Sequence, residues 1–150
     1  MYELRTMRFL ERFIPQVMHE ISTIGSLPFL FFFSILLIFL EEYTRGYALL
    51  LGLCVLFVLV IPFRLFLFRE RPQKISYDNW ILKIDASSFP SMHAARMGVL
   101  IVLFNFSVLF LILAGLVCLS RFYLKRHFLS DLVVGLAFGI VVGFGLIIIL

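Results

Sequence analysis

Long apolar runs separated by short polar segments dominate the sequence. The runs lie at 27–40, 47–63, 91–119 and 127–150, and charged residues are rare within them. A helix needs about 20 predominantly apolar residues to cross a bilayer, so the pattern predicts membrane helices. The first run is short for that purpose, and it would need residues of the preceding turn or a thin or shielded region.

Two of these runs carry internal signals. Residues 91–119 are too many for one untilted span, and Asn105 and Ser107 offer a turn near the middle. We therefore predict two short helices there, 91–104 and 107–121. The run 127–150 is predicted to be one span, and a neighbouring helix could pack closely on its glycines, which are Gly135, Gly139, Gly143 and Gly145.

The N-terminal segment 3–24 has an amphipathic pattern. On a helix, the side facing lipid would carry Leu4, Met7, Phe9, Leu10, Phe13 and Ile14. The side facing water would carry Glu3, Arg5, Arg8, Glu11 and Arg12. We predict an interfacial helix that Pro15 breaks, followed by a short helix that ends at Gly25 and Ser26.

The composition agrees with a membrane protein. Of the 150 residues, 63% are hydrophobic and 19 are phenylalanine, whereas soluble domains contain roughly 45–50% apolar residues. A soluble domain could not bury this much apolar surface. We therefore predict one membrane-embedded domain over 1–150, an all-α helix bundle of about five to six helices. The net charge of +4 suits anionic lipid headgroups or a phosphorylated substrate.

The span count predicts which polar segments share a side of the membrane. The second span ends at Arg64, the third begins at Ser91, the fourth ends at Arg121 and the fifth begins at His127. These four ends should lie on one face, so residues far apart in the sequence can meet there. The opposite face would keep mainly Glu41, Glu42, Arg45 and the turn at Asn105.

The segment SRFYLKRHFLSD (120–131) places a charged cluster between two apolar runs. His127 and Asp131 are four residues apart and would share one face of a helix. A carboxylate near one imidazole nitrogen fixes the tautomer, leaves the other nitrogen as a nucleophile or base, and stabilises an imidazolium. The alternative is a structural one, a histidine capping a helix and a salt bridge to Lys125 or Arg126.

The segment FPSMH (89–93) places Ser91, Met92 and His93 at a predicted helix N-terminus. Free backbone N–H groups and the helix dipole favour an anion at such a position. A histidine in the same turn could pass a proton to a leaving oxygen. The alternative is a plain serine N-cap beside an interfacial histidine.

Arg64, Arg71 and Arg121 lie beside apolar segments on the same predicted face. Guanidinium groups form bidentate hydrogen bonds to phosphate. The alternative is positive-inside topology with snorkelling side chains, and convergence with two histidines weakens it. The third histidine, His19, lacks such a context and is predicted to be interfacial. No metal-ligand set is evident, although His93, His127 and Asp131 could form one in principle.

The three clusters resemble the motifs of the type 2 phosphatidic acid phosphatase (PAP2) superfamily, which read K-x6-R-P, then P-S-G-H, then S-R-x5-H-x3-D. RLFLFRERP (64–72) is similar to the first motif, with arginine in place of lysine. PSMH (90–93) is similar to the second, with methionine in place of glycine. SRFYLKRHFLSD (120–131) matches the third in full, and the order and spacing agree.

The resemblance implies a site and a reaction. His127 would attack phosphorus and form a phosphohistidine, Asp131 would orient it, and His93 would protonate the leaving oxygen. The phosphate oxygens would be held by Arg64, Arg71, Ser91, the backbone N–H of Met92, and Arg121. No metal or other cofactor is implied. Arg64 keeps the charge of lysine without its shape, and Met92 adds a side chain at the phosphate pocket, so pocket shape and substrate preference can differ.

The expected function is therefore hydrolysis of a lipid phosphate or diphosphate in a membrane, most simply the cell membrane. The resemblance favours a polyprenyl diphosphate, with phosphatidate and phosphatidylglycerophosphate as alternatives. A lipid-phosphate substrate and membrane lipids are the expected partners, with no nucleic acid. A non-catalytic lipid-phosphate binder or transporter would need the arginines without His127, and a purely structural bundle would leave the motif spacing unexplained.

The side of the membrane that the site faces stays open at this stage. Besides the three candidate site arginines, the predicted face has nine basic residues, which the positive-inside rule would place in the cytoplasm. They are Arg5, Arg8, Arg12, Arg69, Lys74, Lys83, Arg96, Lys125 and Arg126. Many members of the family that the sequence resembles are instead thought to face outward. The oligomeric state is equally open.

Overall fold

A computed structural model describes the backbone of residues 2–74 and 76–150 and the side chains of 10–74 and 76–150. Across these residues the chain forms seven α-helices and no strand, which confirms the all-α prediction. The helices are α1 (Tyr2–Thr23), α2 (Leu27–Phe39), α3 (Tyr43–Phe66), α4 (Trp80–Ala86), α5 (Met92–Leu103), α6 (Val108–Tyr123) and α7 (Leu129–Ile149).

The short helix α5 forms the centre of the bundle. Every residue of α5 except His93 is buried, because α7, α3 and α6 pack around it. The helix has 12 residues and is about 18 Å long at 1.5 Å per residue. The predicted turn after it is confirmed, since Asn105 and Phe106 have φ of 52° and 56° and reverse the chain into α6.

The outer helices have the length and composition of membrane spans. Among the described residues, α3 and α7 are each long and apolar enough to cross a bilayer. Residues 10–23 of α1 together with α2 pass the same test as one pair, bent by 47° at the break near Gly25. Large apolar side chains point outward, as lipid contact requires, and the most exposed include Phe32, Phe39, Val58, Phe66, Val141 and Ile148.

Two helices differ from the sequence-based prediction. The predicted break at Pro15 is wrong, because α1 is one helix and Pro15 lies inside it. Proline removes a single backbone donor, and α1 continues beyond it while packing against α6. The second difference is α4, which lies in the polar segment 64–89. Asn79 caps it by accepting a hydrogen bond from the backbone N–H of Leu82 at 2.9 Å.

Glycines allow α5 and α7 to pack in backbone contact. A Cβ atom added to Gly139 would overlap the carbonyl oxygen of Ala95, and one on Gly98 would lie 2.5 Å from the carbonyl oxygen of Leu136. The first turns are joined as well, since the N–H of Ser91 donates to the carbonyl of Asp131 at 3.0 Å. Both helices therefore start at the same end of the bundle and run parallel.

We predict that Gly139→Ala destabilises the protein, whereas Gly145→Ala in the same helix does not. A Cβ atom at Gly139 forces α5 and α7 apart and should cost about 1–3 kcal/mol of unfolding free energy. A Cβ atom at Gly145 would meet nothing within 4 Å, so this change should be neutral or stabilising by up to about 1 kcal/mol. Thermal unfolding in detergent measures both variants, and equal melting temperatures would contradict the packing argument.

Candidate active site

One cavity of about 800 Å³ opens at the end of the bundle where α5 and α7 begin. Five predicted site residues line it although they span 64 positions of the sequence, namely Arg64, Arg71, His93, Arg121 and His127. Met92 lines it too. Around this polar centre the wall is apolar, formed by Phe57, Val60, Ile61, Trp80, Ile81, Ile84 and Leu124.

Ser91 and Asp131 lie behind the cavity wall, outside its lining. Both are fully buried. Ser91 caps α5, and its Oγ accepts a hydrogen bond from the N–H of Ala94 at 3.5 Å. The carboxylate of Asp131 accepts from Arg69 Nη1 at 2.8 Å and from the backbone N–H of Phe128 at 2.9 Å. These contacts hold the first turns of α5 and α7 in place.

The nearest partner of the His127 ring is a backbone carbonyl. His127 Nδ1 lies 2.7 Å from the carbonyl oxygen of Ser88 and 3.9 Å from Asp131 Oδ2. A carbonyl oxygen can only accept, so Nδ1 donates and the lone pair remains on Nε2. The Ser88 carbonyl therefore selects the tautomer, and the carboxylate of Asp131 adds its negative charge from a longer distance. Ser88 itself is held by its N–H, which donates to the carbonyl of Arg69 at 2.8 Å.

The arginines of the cavity are anchored by neutral oxygen atoms. Arg64 donates to the carbonyls of Ile84 at 3.3 Å and Pro90 at 3.2 Å. Arg71 donates to the carbonyl of Asp85, and Arg121 donates to Ser22 Oγ at 3.0 Å. Because these acceptors carry no net charge, the guanidiniums keep their positive charge for an anion. Over the described side chains, four buried guanidinium Nε atoms have no hydrogen-bond partner, those of Arg64, Arg71, Arg96 and Arg121.

Several residues that line this cavity were not predicted from the sequence. Arg96 and Arg126, which the sequence pattern assigns only as ordinary basic residues, both line it. Arg96 lies three positions after His93 on one helix, and this spacing could have identified it. His19, predicted to be interfacial and unrelated to the site, also lines the cavity. Its position depends on the packing of α1 against α6, which no local pattern indicates.

Metal ligands are not grouped in this site. In residues 10–74 and 76–150, no set of three or more histidine, cysteine, aspartate or glutamate side chains could hold a metal ion. The cavity lining has a single carboxylate, Asp85, against five arginines. Such an excess of positive charge suits a phosphate group, which guanidiniums bind through paired hydrogen bonds.

Together, the fold and the cavity define a membrane helix bundle with a cationic, histidine-containing anion site. The sequence model of the PAP2 superfamily matches residues 45–150, which include all three motifs. The chain therefore belongs to the PAP2 superfamily. Family membership indicates a phosphatase, and the long apolar helices indicate a membrane protein.

A solved structure has the same fold. The crystal structure of LpxE from Aquifex aeolicus superposes with a TM-score of 0.75 at 23% sequence identity. The alignment covers 91% of this chain and 86% of that chain. No curated protein matches the sequence.

We predict that Arg69→Gln lowers stability more than Lys74→Gln. Arg69 Nη1 lies 2.8 Å from the fully buried Asp131, whereas Lys74 pairs with Glu70 at an exposed position. The side chain of Arg69 is 42% exposed, so solvent screens the pair and the expected loss is about 1–2 kcal/mol. For Lys74→Gln we expect about 0.5 kcal/mol or less. Unfolding curves in detergent compare the stability of the two variants. A larger loss of unfolding free energy for Lys74→Gln than for Arg69→Gln would refute the stabilising role of the Arg69–Asp131 pair.

We predict that His127 contributes to the loss of folding stability at acidic pH. Burial and then the charge of Arg121 lower the pKa of His127 from 6.5 to about 3. Between these values the unfolded chain binds a proton that the folded chain does not, so stability falls as the pH drops from 6.5 towards 3. His127→Gln should flatten this decline and change little above pH 7. Melting temperatures measured across this range in phosphate-free buffer test it, and parallel curves for the two proteins would argue against it.

Proposed function

We propose that the protein hydrolyses the phosphate monoester or diphosphate of a membrane lipid through a phosphohistidine intermediate. The observation that carries this proposal is the His127 ring, fixed through Nδ1 by the Ser88 carbonyl at 2.7 Å in a cavity lined by arginines. An imidazole with a free Nε2 beside cationic side chains is suited to attack a bound phosphorus atom.

The first step of this reaction forms the bond between His127 Nε2 and phosphorus and breaks the bond between phosphorus and the leaving oxygen. The negative charge of a bound phosphate would favour the protonated form of His93, which gives its proton to that oxygen. Arg64, Arg71 and Arg121 bind the other phosphate oxygens and stabilise the charge of the transition state. The products of the step are phosphohistidine and the dephosphorylated leaving group.

The second step releases inorganic phosphate. A water molecule attacks phosphorus, His93 takes up its proton, and the bond between phosphorus and Nε2 breaks. His127 is then neutral and His93 is protonated, as before the first step. Asp131 acts on His127 through charge from 3.9 Å, which favours the positively charged ring that the first step produces.

The apolar wall of the cavity supports a lipid substrate. Two helices contribute the apolar side chains beside the cationic centre. These are Phe57, Val60 and Ile61 from α3 and Trp80 and Ile81 from α4. A hydrocarbon chain bound along them would leave its phosphate among the arginines. A polyprenyl diphosphate is our favoured substrate, with phosphatidate and phosphatidylglycerophosphate as the alternatives. The protein would act as a single domain embedded in the cell membrane.

Phosphate release from detergent-solubilised protein with EDTA tests the proposal. The substrates are a polyprenyl diphosphate, the corresponding monophosphate, phosphatidate and phosphatidylglycerophosphate. We expect metal-independent release that His127→Gln lowers by at least about 1,000-fold. Arg45→Gln, at the other end of the bundle and paired with Glu42, should retain wild-type activity. A phosphorylated protein stable to alkali and labile to acid should be trapped from wild type alone.

Two results would overturn the proposal. Folded wild-type protein that releases phosphate from none of the four lipids would favour a lipid-phosphate binder or transporter. Equal release by wild type and His127→Gln would remove the phosphohistidine from the mechanism. Elution volume and melting temperature in detergent establish that each variant is folded.

A further inference from the structure

Arg96 is a buried cation for which the proposed reaction has no role so far. Its side chain lines the cavity, and the residue is 6% exposed. Nη1 donates to the carbonyl of Gly25 at 3.3 Å, and the guanidinium lies 5.9 Å from the ring of Phe57. Nε has no partner, and Arg96 forms no ion pair with any carboxylate that the structure describes. A buried charge without a counter-charge is costly, and a bound anion would offset that cost.

The position of Arg96 relative to His93 indicates which part of a substrate it would meet. The two residues are three positions apart on α5, so they share a face and are separated by about 4.5 Å along the helix axis. Since α5 starts at the mouth of the site and runs into the bundle, Arg96 lies deeper than His93. His127 and the proposed acid His93 would stand on opposite sides of the scissile bond. The group beyond His93 is therefore the leaving group.

We propose that Arg96 binds a second phosphate, located in the leaving group, and thereby selects lipid diphosphates over lipid monophosphates. This inference rests on the proposed function, because the leaving side is defined by the roles of His127 and His93. A diphosphate has its second phosphorus one bridging oxygen away from the first. Arg96 would pair with the oxygens of that second phosphate through Nε and the free Nη2.

The same contact would assist the reaction. When the bond from phosphorus to the bridging oxygen breaks, the electron pair goes to that oxygen and His93 supplies the proton. The leaving group is then a lipid monophosphate, whose negative charge Arg96 stabilises. In a lipid monophosphate substrate the leaving group is an uncharged alcohol, so Arg96 would have no anion to bind.

A structural role for Arg96 predicts a different outcome. Its hydrogen bond to the Gly25 carbonyl attaches the turn between α1 and α2. That turn packs against the proposed acid His93, because a Cβ atom added to Gly25 would lie 3.2 Å from His93 Cδ2. If Arg96 only held this turn, its loss would displace His93 and slow the hydrolysis of every substrate equally. The ratio between two substrates separates the two roles.

The experiment measures kcat/KM for a polyprenyl diphosphate and a monophosphate with the same chain. Arg96→Gln should lower the value for the diphosphate by about 10- to 100-fold, as expected for losing a charged hydrogen bond, and leave that for the monophosphate nearly unchanged. Arg96→Lys should recover part of the loss, and the control Arg45→Gln should match wild type. Equal losses on both substrates, or no loss on the diphosphate, would overturn the inference while leaving the phosphatase itself established.

A binding measurement tests the second phosphate site without turnover and without a lipid substrate. Methylenediphosphonate should raise the melting temperature of wild type more than inorganic phosphate does, and Arg96→Gln should abolish that difference. If wild type hydrolyses no lipid, the proposed function fails, and this difference alone decides whether Arg96 binds a second phosphate. With phosphatidylglycerophosphate, whose second phosphorus is further away, a loss equal to that for the diphosphate would overturn the assignment to an adjacent phosphate.

Discussion

Backbone contact between α5 and α7 is the constraint on which the site depends. Gly98 and Gly139 let the two helices approach until backbone atoms touch, and the bond from Ser91 N–H to the Asp131 carbonyl fixes their first turns side by side. Because both helices begin at the same end, the histidines at their starts, His93 and His127, line one cavity. Any change that separates α5 from α7 would also separate these two rings.

Uncharged oxygen atoms allow this apolar protein to retain several positive charges in a cavity at one end of the bundle. Arg64 and Arg71 are held by backbone carbonyls of the segment around α4, and Arg121 is held by a serine hydroxyl of α1. These acceptors satisfy hydrogen-bond donors without neutralising their charge, so a bound anion would complete the electrostatic balance. Asp131 lies outside the cavity lining and pairs with Arg69, so the arginines that line the cavity form no ion pair with it.

The segment between α3 and α5 therefore does more than connect two helices. It contributes the Ser88 carbonyl that sets the tautomer of His127, and α4 supplies both a carbonyl for Arg64 and part of the apolar wall. The two departures from the family motifs lie in the same cavity. The arginine at position 64 reaches two carbonyls at once, which its forked guanidinium permits, and the Met92 side chain forms part of the lining.

The sequence by itself determined the class of fold and the chemical groups of the site. Apolar runs separate from polar segments because lipid does not solvate charge, and each motif is one short stretch of sequence whose residues can be recognised together. Thus the turn at Asn105 could be predicted, and the two histidines proposed from the sequence, His93 and His127, both line the cavity. Only the tertiary structure decided that α1 continues through Pro15, that Ser88 is the partner of His127, and that Arg96 and His19 reach the cavity. These facts depend on contacts between residues far apart in the sequence, such as Arg96 with Gly25, 71 positions away, and no local pattern encodes which distant backbone oxygen a buried side chain will meet.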